Sequence, residues 1–333
     1  MVWFEFALCV VVITAAGVRL CRYGDAIADK TGLGGTWVGI VMLASVTSLP
    51  ELVTGISAVT LADVPEIAVG DVLGSCVFNL VIIVILDSLY RQDSVYRRAS
   101  QGHVLSAAFG VVLIGFTGFS LLLPSKGFNP VIAHIGLYTP VILVLYAVAI
   151  RTVFRYERSR MAKFARMEED QYPETTLNRA IAQYVAAAVF VLAAGSYLPY
   201  IGEAMAELMG WNESFVGTLF VAFATSLPEI VVTIAALKLG AVNMAIGNLF
   251  GSNLFNIAIL AVDDLLYVKG PLFESVSATH AVSAISAVMM TGIAIVGLYY
   301  RSRTRVLNLV GWVSIFLFLV YMMNTFVMYL YGS

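Results

Sequence analysis

Apolar runs of about 20 residues, separated by short polar connections, recur along this chain. They fall at 3–21, 37–60, 65–87, 102–123, 129–150, 179–199, 213–237, 242–266, 275–299 and 306–330. A helix needs roughly 20 apolar residues to cross the hydrocarbon core of a bilayer. The pattern therefore predicts an all-α integral membrane protein with ten transmembrane helices. The one long polar connection, 151–178, is basic and then acidic. Pro50 and Pro228 fall midway along the second and seventh runs, each followed directly by a glutamate, Glu51 and Glu229. A mid-helix proline removes a backbone donor and crowds the preceding turn. Helices 2 and 7 are thus expected to be broken at mid-membrane.

Composition agrees with the pattern. The 333 residues are 60% hydrophobic and only 12% charged, whereas a soluble domain carries about a quarter charged residues. A net charge of −2 argues for neither nucleic acid nor an acidic partner. Cys9, Cys21 and Cys76 lie in or beside apolar runs and read as small apolar residues, not as a disulfide framework. The first run lacks a basic flank before it and a small-residue cleavage site after it, so it reads as a retained helix.

Lysine and arginine orient the chain. With the N-terminus outside, loops after odd-numbered runs hold Arg19, Arg22, Lys30, Arg91, Arg97, Arg98, seven residues between 151 and 179, Lys238, Arg301, Arg303 and Arg305; the opposite loops hold Lys126 and Lys269. That asymmetry matches the positive-inside rule. It predicts a multi-pass protein of the cell (plasma) membrane with both termini extracytoplasmic and 151–178 cytoplasmic.

The chain also resembles itself. GIVMLASVTSLPELVT (39–54) matches GTLFVAFATSLPEIVV (217–232), and GDVLGSCVFN (70–79) matches GNLFGSNLFN (247–256). HVLSA (103–107) matches HAVSA (280–284), and GDAIADKTG (24–32) matches GEAMAELMG (202–210). The reading is a duplication: a first five-helix half at 1–150, a cytoplasmic loop at 151–178 and a second half at 179–333. Five spans per half place the second copy upside down, giving two inverted five-helix repeats. Transporters of this architecture carry their site at the repeat interface near mid-membrane.

The polar residues at the breaks suit a cation. Thr47, Ser48 and Glu51 share one helix face by spacing, as do Thr225, Ser226 and Glu229. Ser75 and Asn79 stand one turn apart in the third run, and Ser252 and Asn256 in the eighth. Gly74 and Gly251 permit close helix approach. Carboxylates, hydroxyls, amides and freed carbonyls are hard oxygen ligands that fit Ca²⁺ and, with fewer charges, Na⁺. Two carboxylates balance one Ca²⁺. No nucleophile–base arrangement stands out, so an enzyme is not expected, nor is a resident cofactor or an obligate protein partner beyond the ions and the lipid bilayer.

TSLPE followed by GxxxGSxxFN, once per half, resembles the alpha-repeats of the Na⁺/Ca²⁺ exchanger family of the Ca²⁺/cation antiporters, in its compact prokaryotic form. The resemblance implies an antiporter with Glu51 and Glu229 as central Ca²⁺ ligands. It implies that Thr47, Ser48, Ser75, Asn79, Thr225, Ser226, Ser252 and Asn256, with the main-chain carbonyls of Ala44 and Ala222, serve Ca²⁺ or flanking Na⁺ sites. It also implies that helices 1 and 6 slide against the other eight. Three departures bear on coupling: Asp71 stands where the family usually has Asn, Cys76 replaces the Asn of GSN, and Asn79 and Asn256 are both amides. Asp71, one turn before Ser75, is a further candidate in the ion path. H⁺/Ca²⁺ or other divalent cation exchange on the same fold is the alternative reading, and a cation channel or an intramembrane hydrolase are more distant ones. Asp87 and Asp264 are expected as solvated helix caps, His103 and His280 as interfacial anchors, and Asp25/Asp29 and Glu203/Glu207 as solvated helix faces.

Overall fold

The computed structural model describes residues 2–91, 93–124, 127, 130–164, 172–209, 221–301, 305–306 and 310–331, the side chains of 160–164, 198–199, 202–203, 205–207, 209 and 221–222 excepted. Nine long apolar helices stand among the described residues: α1 (Val2–Thr31), α2 (Gly35–Ala62), α3 (Pro65–Leu89), α4 (Gly102–Leu122), α5 (Tyr138–Phe164), α6 (Leu177–Met209), α8 (Val242–Leu266), α9 (His280–Tyr300) and α10 (Trp312–Tyr331). The seventh expected span, α7, is described as Val221–Thr225 and Leu227–Lys238; its beginning, 213–220, lies outside the described residues. The protein is thus a mostly helical, multi-pass membrane protein. Trp3, Phe4 and Leu8 on α1 and Phe318, Met322 and Phe326 on α10 point outward, where lipid rather than water makes such exposure favourable. In the interior, α3 and α8 run side by side, α8 buried along nearly all of its membrane-spanning window.

Several expected boundaries shift. α1 and α6 run 30 and 33 residues, about 45–50 Å at 1.5 Å per residue, well past the hydrocarbon. The connection expected at 151–178 is helical as far as Phe164, where α5 ends, and 165–171 lie outside the described residues. The fifth and tenth spans begin later than the apolar pattern suggests. Their leading residues instead form two small antiparallel ribbons, β1 (Val131–Ile132) with β2 (Ile135–Gly136), and β3 (Arg305–Val306) with β4 (Val310–Gly311). α9 starts at His280 rather than 275, after a Ser/Thr-rich turn.

Aspartates explain the ribbons and correct another expectation. Asp87 and Asp264, expected as solvated caps, are fully buried. Asp264 accepts hydrogen bonds from the Gly136 and Leu272 backbone N–H groups and from the Tyr138 and Thr139 hydroxyls. Asp87 accepts from the Gly311 and Val95 N–H groups and from the Ser94 and Ser314 hydroxyls. Each aspartate ends one central helix and pins the ribbon before α5 or α10 in the other half. A carboxylate satisfied in this way is cheaper to bury than to leave unpaired.

The histidines repeat the cross-half pattern. His103 Nε2 lies 3.3 Å from Asn243 Oδ1, and the Ser100 N–H donates to that same oxygen. In the other half His280 Nε2 lies 2.6 Å from Glu66 Oε2, and the Ser277 N–H donates to Glu66. Both histidines, expected as interfacial anchors, are buried and join one half to the other at helix starts.

Candidate ion-binding site

Both proline-containing helices are interrupted two residues before the proline. Ser48 leaves helical geometry at φ −91°, ψ 9° and Ser226 at φ −81°, ψ 0°, and Pro50 and Pro228 then open new helical segments, a position where a missing N–H costs nothing. The two breaks meet at α6. A Cβ added at Gly195 would stand 2.7 Å from Pro50 Cγ and 3.2 Å from Pro228 Cγ.

Across this meeting point the halves exchange hydrogen bonds. The Ser48 hydroxyl donates to Glu229 Oε1 at 2.9 Å, and Ser252 reaches the same oxygen at 3.5 Å. Thr47 donates to Asn248 Oδ1 at 3.3 Å and lies 3.5 Å from Ser252 Oγ. Thr225 donates to Asp71 Oδ1 at 3.0 Å, and Ser226 to Ser75 Oγ at 3.2 Å. Asn79 donates to Asn253 Oδ1 at 3.1 Å, and Asn253 donates to the Cys76 carbonyl at 3.1 Å. Thr47–Asn248 and Thr225–Asp71 are the same contact with the halves exchanged.

The glycine expectation holds where it can be followed. Gly251 of α8 rests on the backbone of Ile40 in α2, and any Cβ there would collide with the Ile40 carbonyl. Around Ile40 the helix widens into π-type turns at Val38–Leu43, a local geometry frequent at functional sites. The equivalent neighbour of Gly74 lies outside the described residues.

What the hydrogen bonds leave over defines the chemistry. Glu51 Oε1 and Oε2, Glu229 Oε2, Asp71 Oδ2, Asn79 Oδ1 and Asn256 Oδ1 are buried acceptors without a partner among the described residues. Leaving one such group unpaired costs about 1–3 kcal/mol, more if it is charged, and a cation repays that cost at several oxygens at once. No three His, Cys, Asp or Glu side chains converge among the described residues, so an ion here would rest on the glutamates and neutral oxygens.

The remaining expected residues fall as follows. Thr47, Ser48, Ser75, Asn79, Thr225, Ser226, Ser252 and Asn256 are all fully buried. The Ala44 carbonyl already accepts the Ser48 N–H at 3.0 Å and lies 3.4 Å from Thr47 Oγ1. Ala222 occupies the equivalent turn of α7, and its surroundings lie outside the described residues, as do the side chains of Glu203 and Glu207. Asp25 is not simply solvated: the Tyr172 hydroxyl donates to it at 2.7 Å, and burial, then the Asp25 carboxylate, push that phenol above its usual range. Three polar residues were not singled out from the sequence. Asn248 and Asn253 are the repeat partners of Asp71 and Cys76, a signal already present in GNLFGSNLFN. Asp263 has no such signal, since its repeat position is Leu86.

Comparison with known proteins agrees with this geometry. The sequence model described as "Sodium/calcium exchanger protein" matches residues 1–155 and 179–327, two stretches that parallel the two halves. Sodium/calcium exchanger MaX1 of Methanosarcina acetivorans is 25% identical over 280 residues, 74% of this chain and 77% of that protein. An uncharacterized membrane protein of Methanocaldococcus jannaschii is 24% identical over 284 residues, covering 82% and 85% of the two chains. Among solved structures, the sodium-calcium exchanger NCX_Mj soaked with Na⁺ and Ca²⁺ superposes with a TM-score of 0.73 at 19% identity, over 97% of each chain. That likeness shows a shared fold.

Proposed function

The chain belongs to the sodium/calcium exchanger protein family, and from that premise we propose that it is a secondary antiporter that exchanges Ca²⁺ for Na⁺ across the membrane. The observation that carries this reading is the buried set of oxygens on Glu51, Glu229, Asp71, Asn79 and Asn256 that have no partner among the described residues. Glu51 and Glu229 stand just after the two interruptions, and Asp71, Asn79 and Asn256 lie on α3 and α8. Glu51 and Glu229 supply the two charges that a Ca²⁺ ion needs, and the Thr47, Ser48, Ser75, Thr225, Ser226 and Ser252 hydroxyls complete a hard-oxygen shell. Asn79 and Asn256 add amide oxygens, and the Ala44 and Ala222 carbonyls and Asp71 extend the set toward Na⁺. The ions are the substrates.

The halves 1–150 and 179–333 form the two inverted repeats, joined through the cytoplasmic stretch 151–178. The lysine and arginine distribution orients both termini outside, in the plasma membrane. α1 and α6 pack along one another and meet the interrupted helices through glycines. Gly17 faces Val231 and Val232, and Gly195 faces both prolines. Such bump-free contacts suit a pair of helices that slides past a fixed site and opens it to one side at a time.

Radiolabelled Ca²⁺ uptake into proteoliposomes tests the proposal, comparing outward Na⁺ and outward H⁺ gradients at clamped voltage. Uptake driven by Na⁺ supports it. Uptake driven by H⁺ alone would replace Na⁺ as the coupling ion, and uptake under neither gradient would remove Ca²⁺ exchange altogether.

A further inference from the structure

Asp263 lies near the end of α8, wholly buried, and neither of its carboxylate oxygens has a hydrogen-bond partner among the described residues. Its carboxylate fills the space where a side chain at Gly55 would stand: an added Cβ there would lie 2.5 Å from Oδ2 and 2.8 Å from Oδ1. Gly55 follows Glu51 by one helical turn on the same face of α2, about 6 Å along the axis at 1.5 Å per residue. On α8, Asp263 follows Asn256 by seven residues, two turns along the same face. Asp263 thus sits one level beyond the central oxygens, above Glu51 on one helix and above Asn256 on the other.

That level belongs to one side only. With the orientation proposed above, α2 and α8 both run outward past the breaks, so Asp263 is on the outer side. Exchanging the halves places Leu86 (263 − 177) at the inner equivalent and Thr233 (55 + 178) opposite it. Asp71 breaks the symmetry in the same direction: it lies one turn outward of Ser75, and its inner equivalent is the neutral Asn248 (71 + 177). Both departures add a carboxylate to the outer side, and Asp71 Oδ2 is likewise unpartnered. A buried carboxylate with no hydrogen-bond partner among the described residues weakens the fold, and a cation that arrives and leaves accounts for its position.

We infer that Asp263 holds a cation on the outer access route, one helical turn from Glu51, so that the outer face of the protein binds divalent cations more tightly than the inner face. A divalent cation entering from outside exchanges part of its hydration shell for the Asp263 oxygens before it reaches the glutamates. The inference rests on the exchange activity proposed above.

The test measures half-saturation for Ca²⁺ separately at each face, in right-side-out and inverted membrane vesicles. Asp263→Asn removes the charge and breaks no hydrogen bond among the described residues. It is expected to raise half-saturation at the outer face by about tenfold, equivalent to roughly 1.4 kcal/mol of binding, with the inner face unchanged, and Asp263→Glu should recover most of the loss. No change at either face, or equal changes at both, would overturn the inference. Sr²⁺ soaked into crystals of the unaltered protein gives a second reading that needs no variant. An anomalous peak at the Asp263 oxygens supports the assignment, and its absence at saturating Sr²⁺ refutes it. If the unaltered protein exchanges no Ca²⁺, the antiport proposal fails by itself, and the Sr²⁺ experiment still decides for Asp263.

Discussion

Ser48 donates a hydrogen bond to Glu229 at 2.9 Å, yet its counterpart Ser226 turns to Ser75, and Glu51 has no donor among the described residues. The two glutamates occupy equivalent places in the repeat and differ in their surroundings. Glu229 is held by hydroxyls, while both oxygens of Glu51 are unpartnered among the described residues.

Removing either charge should stop exchange. Glu51→Gln and Glu229→Gln each leave one carboxylate against a divalent ion, and the initial rate of Ca²⁺ uptake is expected to fall at least about a hundredfold, some 2.7 kcal/mol. Ser48→Ala should be milder, about thirtyfold or roughly 2 kcal/mol, within the 1.5–3 kcal/mol attributed to a hydrogen bond to a charged group. Full uptake by either glutamine variant would sink the assignment of the glutamates.

Asp71→Asn tests whether the broken symmetry is needed for folding. The Thr47–Asn248 contact shows that an amide oxygen can accept from a threonine in this geometry, so Thr225 keeps its acceptor. Thermal unfolding in detergent should move by less than about 1 kcal/mol. A large loss of stability would mean that the Asp71 charge itself organises the outer half.

Asp264→Ala and Asp87→Ala address architecture rather than the ion. Each strands several buried donors, at about 1–3 kcal/mol for each left unpaired, and should destabilise the protein by at least about 3 kcal/mol. The ribbons before α5 and α10 should become accessible to hydrogen exchange. Unaltered protection there would show that the carboxylates do not hold the ribbons.

Gly251→Val places a branched side chain against the Ile40 backbone. Overpacking of this kind costs about 1–3 kcal/mol, and because it separates α8 from the π-type turns of α2, Ca²⁺ uptake should fall more steeply than the unfolding temperature. Wild-type uptake in this variant would show that the close approach is not needed for transport.

Much was determined by the sequence alone, because membranes impose local rules. Twenty apolar residues must be helical in lipid, a proline must interrupt such a helix, and a duplication shows itself wherever Pro, Glu, His and Asn recur in register. The spans, the two breaks and the residues around them follow from such short-range constraints. Tertiary structure decided what depends on neighbours far along the chain. The apolar residues before α5 and α10 became ribbons because Asp264 and Asp87, more than a hundred residues away, hold the Gly136 and Gly311 backbone. Ser48 chose Glu229 while Ser226 chose Ser75. Asp263, with a leucine as its repeat partner and a missing side chain at Gly55 as its place, could be found only once α2 and α8 were packed together. A pattern read along one helix records which face is polar, but not which residue on another helix comes to meet it.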